Sequence, residues 1–367
     1  MTATPPPTFP PPTFDHLLRM SDDTGLLEHA RGSIPRREHG YCLDDVARGM
    51  VVLGREPNPP AELRRLLECY LAFTTQAQSG TGAFRNRLGY DRRWQDAPAT
   101  GDWWGRALWG LGTVAARSEA GWLRDDALAC FEMGALQRSP APRARAFAAL
   151  GAAEVLDRYP NHGGAQRLLK DIAEAADRPR EDPEWPWPEH RLGYANAVLA
   201  EVLIVAGTYC HDDTLAADGL RLLEWLLRTE TLDGHLSLTP AGGWRASVPR
   251  PAFDQQPIEA AALVDACARA WALTGDRFWA AAIDRGVAWF TGDNDLKAPM
   301  MHAGTGGGFD GLGRDGPSTN QGAESTLALL STLQHARRLD IGAQPDTGRQ
   351  LNVGAHNVGP QLDIGRQ

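Results

Sequence analysis

Between about residues 15 and 338, apolar residues recur at three- and four-residue spacing, the period of amphipathic helices. The pattern predicts helices over roughly 15–30 (broken near Ser21–Thr24), 41–54, 61–78, 102–117, 119–137, 140–159, 163–178, 193–207, 212–229, 255–274, 276–291 and 320–338. The punctuation agrees. Pro59-Pro60 precede one helix, Pro142 falls in the first turn of another, and Gly54, Gly207, Gly275 and Gly292 stand at helix ends. No strand-rich block interrupts the series; only 82–94 and 234–246 read as small hairpins in long loops. The two ends lack the period. Residues 1–14 form a proline-rich tail, and 340–367 repeat DIG and GRQ among Gly, Asn and Gln, so both are expected to be disordered around one domain at 15–339.

A second pattern lies over the first. Counting from the helix at 41, alternate helices begin with dense polar-aromatic motifs: GYCLDDVAR (40–48), GDWWGRALW (101–109), EHRLGYANA (189–197), FDQQPIEAA (253–261) and NQGAESTLA (320–328). The helix at 140, beginning SPAPRARAF, is the weak member. The helices between them start blandly after short connections. A ring of helical hairpins predicts this arrangement, with inner helices aiming their N-termini at one face and outer helices packing around them. The repeat is roughly 40–65 residues, with its variation in the motif-side loops. The helix at 320 has no outer partner after it, so the N-terminal helix has to close the ring. The expected fold is therefore all-α, an (α/α)6 toroid. An open α-solenoid is the alternative, but solenoid repeats share a packing signature, whereas here the position repeats and the residues differ.

Composition narrows the partners. Ala, Leu and Arg abound while Val, Ile and Thr are sparse, which favours helix over sheet. A formal charge of −9 without a basic patch argues against nucleic acid or an anionic membrane. No apolar run approaches the ~20 residues of a membrane span, and the first residues lack a signal-peptide layout, so a cytoplasmic location is expected. Five cysteines, at 42, 69, 130, 210 and 267, form no CxxC pair, and reduced thiols are expected. There are twelve tryptophans. Trp94, Trp103, Trp104, Trp185, Trp187 and Trp244 lie in polar or Gly/Pro-rich contexts, where indole faces can stack on sugar rings.

The motif-bearing helix starts carry acids: Asp44, Asp45, Asp102, Asp254, Glu259 and Glu324. Singly, each reads as a cap or a helix-dipole acid. Together they stand beside Arg48, Arg106, Asn196, Gln255, Gln256, Asn320 and Gln321, side chains that grip hydroxyls and orient carboxylates. This is the inventory of glycosidic-bond chemistry, in which one carboxyl gives a proton to the leaving oxygen and another activates water or attacks the anomeric carbon. Asp102, Asp254, Asp45 and Glu324 are the candidate catalytic acids. Asp44, Arg48, Trp103, Trp104, Arg106, Trp187, His190, Asn196, Gln255, Gln256, Glu259, Asn320 and Gln321 are the candidate substrate contacts. In a six-helix ring with axes about 10 Å apart, Asp102 and Asp254 stand on opposite helices, leaving on the order of 10 Å between carboxyls, near the inverting range. Other chemistries lack their signatures. No HxxxH, HExxH or His/Cys cluster indicates a metal, no cofactor motif is present, and the glycine-rich 304–313 lacks a strand–helix setting and reads as a flexible lid.

These motifs resemble those of a bacterial family with an (α/α)6-toroid domain, often labelled glycosyltransferase-like and associated with mannoside metabolism. The resemblance runs over about 20–335. It rests on Asp22–Ala30, Pro35, Gly40–Arg48, Tyr90–Trp94, Asp102–Trp109, Trp185–Asn196, Phe253–Ala260 and Asn320–Thr326. More distantly, the toroid and its GRALW segment are similar to unsaturated-glucuronyl hydrolases and N-acylglucosamine 2-epimerases. The family pattern has an acid just before Asp102, where this chain has Gly101. The resemblance implies sugar chemistry. The leading expectation is an inverting glycoside hydrolase, or a phosphorylase or transglycosylase, acting on a β-linked oligosaccharide such as a mannoside. The alternatives are a sugar epimerase or isomerase, which would want histidines facing C2, and a non-catalytic carbohydrate-binding toroid.

Overall fold

The computed structural model describes residues 9–340; the remainder of the two expected tails, 1–8 and 341–367, lies outside the described residues. Twelve helices make up the described chain: α1 (Asp15–Met20), α2 (Leu43–Gly54), α3 (Ala61–Ala77), α4 (Asp102–Arg117), α5 (Gly121–Gly134), α6 (Pro142–Arg158), α7 (Gly163–Glu174), α8 (Ala197–Cys210), α9 (Asp213–Thr229), α10 (Pro257–Thr274), α11 (Arg277–Thr291) and α12 (Ala323–Asp340). The even-numbered helices pack in sequence, α2 on α4 and so on to α10 on α12, and α12 returns to α2. That closes an inner ring of six. The odd-numbered helices pack around it, and α1 lies against α12 to complete the outer layer. The fold is an (α/α)6 toroid.

Burial explains which helices are inner. In α4 every residue from Trp104 to Ala115 is buried, in α6 from Ala146 to Leu156, and in α8 from Ala197 to Gly207. Helices apolar on all sides must be surrounded. The outer helices keep a stripe: α7 buries only Ala165, Leu168, Leu169 and Ile172, and α9 buries Leu215, Ala216, Asp218, Gly219, Leu222, Leu223, Leu226 and Leu227. Small residues let inner backbones touch. A Cβ on Gly105 would stand 2.1 Å from the Ala144 carbonyl oxygen, and one on Gly112 would stand 2.3 Å from that of Gly151, so α4 and α6 meet backbone to backbone.

The inner helices are parallel. Arg48 and Glu324, near the starts of α2 and α12, pair with each other, while Arg55 at the end of α2 lies beside His335 in the second half of α12. All six inner N-termini therefore open on one mouth and all six C-termini on the other. Four two-stranded antiparallel pieces trim the loops: β1 (Ala30–Arg31) with β2 (Ile34–Pro35), β3 (Tyr41–Cys42) with β4 (Arg87–Leu88), β5 (Thr231–Leu232) with β6 (His235–Leu236), and β7 (Leu312–Gly313) with β8 (Gly316–Pro317). The β3–β4 pair ties the entry to α2 to the long loop before α4. Gly40 makes this possible, with a φ of 68° and room for no side chain, since a Cβ there would stand 2.3 Å from the Leu88 carbonyl oxygen.

Three expectations are corrected. The N-terminal helix breaks after Met20, as expected, where the Asp22 carboxylate accepts hydrogen bonds from the backbone N–H of Thr24 and Gly25 and turns the chain, but no helix resumes toward residue 30. The second hairpin is centred earlier than 234–246, on Asp233-Gly234, both with positive φ, as a tight hairpin turn requires. The glycine-rich 304–313 segment is not a free lid. It is pinned to α12 and to the entry of α10, with Phe309 N–H donating to Met300, Asp310 N–H to Asn320 and Leu312 N–H to Gln255. A Cβ on Gly308 would stand 2.4 Å from the Ser325 carbonyl oxygen. These glycines serve close packing.

Candidate functional site

The N-terminal mouth gathers charge from three neighbouring inner helices, α12, α2 and α4. In the first turn of α2, Asp44 and Asp45 are followed by Arg48, one turn on. Arg48 donates to Asp45 Oδ1 at 2.6 Å and to Glu324 Oε2 at 2.6 Å, so one guanidinium bridges α2 and α12. Arg106, one turn into α4, donates to Asp44 Oδ1 at 3.0 Å. Its guanidinium also lies 4.3 Å from the centre of the Phe147 ring and 5.7 Å from that of Tyr194. Asn86 closes the start of α2 from outside, its Oδ1 accepting from the Asp44 N–H and from the Cys42 thiol.

The four acids are not equivalent. Burial pushes Asp45 up to about 7, against the pull of Arg48 and with help from Glu324, Asp44 and Glu28. For Asp44, burial also acts upward, but Arg106 and Arg48 prevail and its carboxyl lies below the ordinary value. Asp102 is half-buried and raised, chiefly by burial. It is the first helical residue of α4, with Gly101 as N-cap. Among the described residues it has no hydrogen-bond or ion-pair partner. Glu324 is the exposed member, with 40% of its side chain accessible.

Below these groups a narrow pit of ≈50 Å3 descends along the ring axis, lined in part by Arg48, Arg106, Trp109, Phe147 and Glu324. That is room for a water molecule or a hydroxymethyl group, not a whole sugar ring. Arg106 Nη2, Arg48 Nε and Trp109 Nε1 are buried here without a partner. Buried donors are ordinarily paired, so these three mark where a ligand's oxygens would be received. A larger cavity, ≈840 Å3, opens at the opposite mouth, among the C-terminal halves of the inner helices. The motif residues lie at the mouth with the smaller one.

Of the residues singled out by sequence, Asp44, Asp45, Arg48, Asp102, Arg106 and Glu324 are brought together. Asp254 is not: it sits exposed in the loop before α10, on the helix opposite α4 in the ring. Gln256 is the N-cap of α10 without a side-chain bond. Several others hold architecture. Gln255 is fully buried and satisfied, donating to Ala252 O and Asp295 and accepting from Trp289 Nε1. Glu259 accepts from the backbone N–H of Ala195 and Asn196 and so caps the start of α8, with the Asn196 side chain clamped beside it. Gln321 is buried and accepts from Thr305, and the exposed Asn320 accepts from the Gly32 N–H. Trp104 is fully buried, donating to Gly134 O, and Trp187 is fully buried against Trp225. Neither presents a face to a ligand, which corrects the stacking role expected of them. Trp103 is half-buried and donates to Phe84 O at 2.7 Å. His190 is exposed beside Arg180.

Other residues at the mouth stand outside the candidate contacts, although the loop positions of His29 and His39 already placed them within reach of a ligand. Arg143, in the weak motif of α6, makes a bidentate pair with Glu189 at 2.8 and 2.9 Å and packs on Tyr194. The signal was its place at an inner-helix start. Trp109 belongs to the buried core and also walls the pit. His29 and His39 stand edge to face, 4.9 Å between ring centres, on a segment strapped to the mouth by Ala323 N–H to Glu28 O and Gln321 N–H to Gly32 O. The fold also brings ligand atoms of Glu28, Cys42 and Asp45 within 4.8 Å of one another. Arg87 and Arg48 already hold the two carboxylates, and burial keeps the thiol protonated. That donor set does not suit a metal ion.

No sequence-family profile matches this chain, and no curated protein sequence matches it. Solved structures do. The chain is similar to a sugar epimerase from a ruminal bacterium (TM-score 0.67, 12% identity, covering 88% of this chain and 95% of that one). It is similar to the cellobiose 2-epimerase of Bacillus thermoamylovorans (0.66, 9%, covering 89% and 95%). A cellulase of C. cellulolyticum in complex with cellobiose matches as well (0.60, 9%, covering 86% and 88%). At these identities the likeness establishes the toroid fold. Among the described residues no helix is long and apolar enough to cross a membrane.

Proposed function

We propose that this toroid is a carbohydrate-active enzyme working at its N-terminal mouth, and that it is a glycoside hydrolase using Asp102 and Glu324. The observation that carries the reading is the convergence of four carboxyls and two arginines from α12, α2 and α4, with orphaned buried donors beneath them. Fold neighbours that act on oligosaccharides lend support. Asp102, raised by burial and free of partners, is placed to hold a proton and give it to the glycosidic oxygen as the bond to the anomeric carbon breaks. Glu324, oriented by Arg48, takes a proton from the water whose oxygen bonds to that carbon. α4 and α12 lie on either side of α2, and a separation of the two acids wide enough for that water is what inversion requires. Phosphate or a sugar hydroxyl in place of water gives phosphorolysis or transfer on the same scaffold. β-Linked mannosides are the substrates to try first, on the motif resemblance.

A second reading is favoured by one observation. The His29–His39 pair, together with two epimerase neighbours, fits proton removal and return at C2 of an open-chain sugar.

One experiment separates the readings. The protein is incubated in D2O with manno- and gluco-oligosaccharides, and the products are read by mass spectrometry and NMR. Hydrolysis shortens the chains without carbon-bound deuterium. Epimerisation keeps the length and places deuterium at C2. Binding without either product supports a carbohydrate-binding toroid, and turnover untouched by Asp102→Asn and Glu324→Gln would overturn the carboxyl mechanism.

A further inference from the structure

A large cavity opens at the other end of the ring. Its ≈840 Å3 lies within the usual size of a small-molecule site. Four arginines reach it from four different inner helices: Arg55 from α2, Arg117 from α4, Arg269 from α10 and Arg338 from α12. Glu154, Asp157, Glu201 and Asp265 line it with Tyr209 and Trp271. This is a deep, charged chamber in a region where a ring of helices needs only apolar packing.

The ion pairs do not use up the positive charge. Arg55 is committed to Asp265 at 2.7 Å and Arg117 to Glu154 at 2.7 Å. Arg338 donates only to the Arg55 carbonyl oxygen, at 3.5 Å, and has no carboxylate partner among the described residues. Arg269 comes no closer than 3.9 Å to Glu201. Burial and Asp265 push Glu201 up to about 8, which leaves it uncharged at neutral pH. Burial, and repulsion from Arg55 and Arg117, bring Arg338 down to about 10. With Glu201 uncharged, four arginines face the carboxylates of Glu154, Asp157 and Asp265, which leaves one positive charge over even though Tyr209, Glu201, Glu154 and Asp157 all favour the charged form of Arg269.

We propose that this C-terminal mouth is a second binding site, taking a small hydroxylated anion, a sugar phosphate or a sugar carboxylate, whose charged oxygens are met by Arg338 and Arg269. A guanidinium without a carboxylate is the natural partner of such a group. Glu154, Glu201, Tyr209 and Thr208 supply the hydroxyl contacts that a bare ion would leave unused. The site shares no arginine with the N-terminal mouth, although Glu201 and Asp265 line both cavities, and it stands whether or not the hydrolase reading does.

The test is calorimetric titration of the full-length protein with glucose 6-phosphate, glucuronate and glucose. One of the two anions binds, the phosphate or the carboxylate arm identifying the group, and neutral glucose binds at least tenfold more weakly. Arg338→Gln weakens the anion about tenfold or more. Ala272→Glu, at the exposed rim of the cavity, does the same by repulsion without touching the core, and circular dichroism verifies that both variants fold. Asp102→Asn, at the far mouth, binds as the wild type does. Failure of both anions to bind overturns the proposal. So does unaltered binding in both folded variants, or loss of binding in Asp102→Asn.

Discussion

Among the described residues, Asp102 makes no hydrogen bond through its carboxyl. Burial already disfavours its charge and Asn keeps its size, so Asp102→Asn should melt close to the wild type while losing ~10²–10⁴ in turnover. Glu324→Gln should lose a comparable factor, with some loss of binding because Arg48 then has one carboxylate instead of two. Asp254→Asn, altered on an exposed loop, should keep most of its activity. Steady-state rates beside melting curves check all three, and collapse in both Asp102→Asn and Asp254→Asn with Glu324→Gln active would return the chemistry to the pair of opposite helices. Asp45, buried under Arg48 and raised to about 7, acts through that arginine. The wild-type rate should inflect near pH 7, and Asp45→Asn should lack the inflection. The tryptophans make the limit of sequence reading concrete. Adjacent helical residues point about 100° apart, so Trp103 and Trp104, alike in sequence, face a half-buried edge and the core. Trp104→Ala should cost about 3–5 kcal/mol, whereas Trp109→Ala should weaken sugar binding at the pit.

At the scale of elements, the alternation of motif-bearing and bland helix starts was enough to sort inner from outer helices, because only the inner ones aim their N-termini at a shared mouth. Tertiary contact decided what the pattern could not. The entry segment leaves the helix at Ser21, where Asp22 turns the chain, and thereafter serves as a strap over α12. Nor did sequence distinguish glycines that bend the chain from those that bring helices together. Gly105, Gly112 and Gly151 belong to the second kind, and they leave no space for a methyl between α4 and α6. Gly112→Ala should destabilise by about 1–3 kcal/mol through overpacking, although alanine is the better helix former by about 1 kcal/mol. Chemical denaturation measures the sign directly. A stabilised Gly112→Ala would mean that the two helices have slack at this crossing.

The whole molecule is a ring joined by its two ends, and its closure is built from residues far apart in the chain. Gln334 donates to Val52 O, Arg337 pairs with Glu56 at 2.8 Å through both nitrogens, and Asp265 receives Arg55 and His335 at 2.7 and 2.6 Å. None of these pairs was visible in sequence, since each needs the ring closed before its members meet. His335 gives the closure a pH signature. Burial, opposed by its bond to Asp265, holds the imidazole down at about 4, so the folded ring keeps it neutral while the unfolded chain protonates it near 6.5. The unfolded state therefore binds more protons between those values. The stabilising share of His335 is complete above pH 6.5 and is lost as pH falls toward 4, on the order of 3 kcal/mol across the window. Asp265, held below its ordinary value, loses its share only at more acid pH, so the two separate. Other buried groups titrate in the same span: Asp45 is raised, whereas His16 is lowered like His335. The quantity to read is thus the stability gap between wild type and His335→Gln, measured by denaturation at each pH. Glutamine keeps a donor for Asp265 but has no proton to refuse. The gap should be widest at pH 7 and close as the solution is taken to pH 4.5; a constant gap would mean that His335 contributes by packing alone.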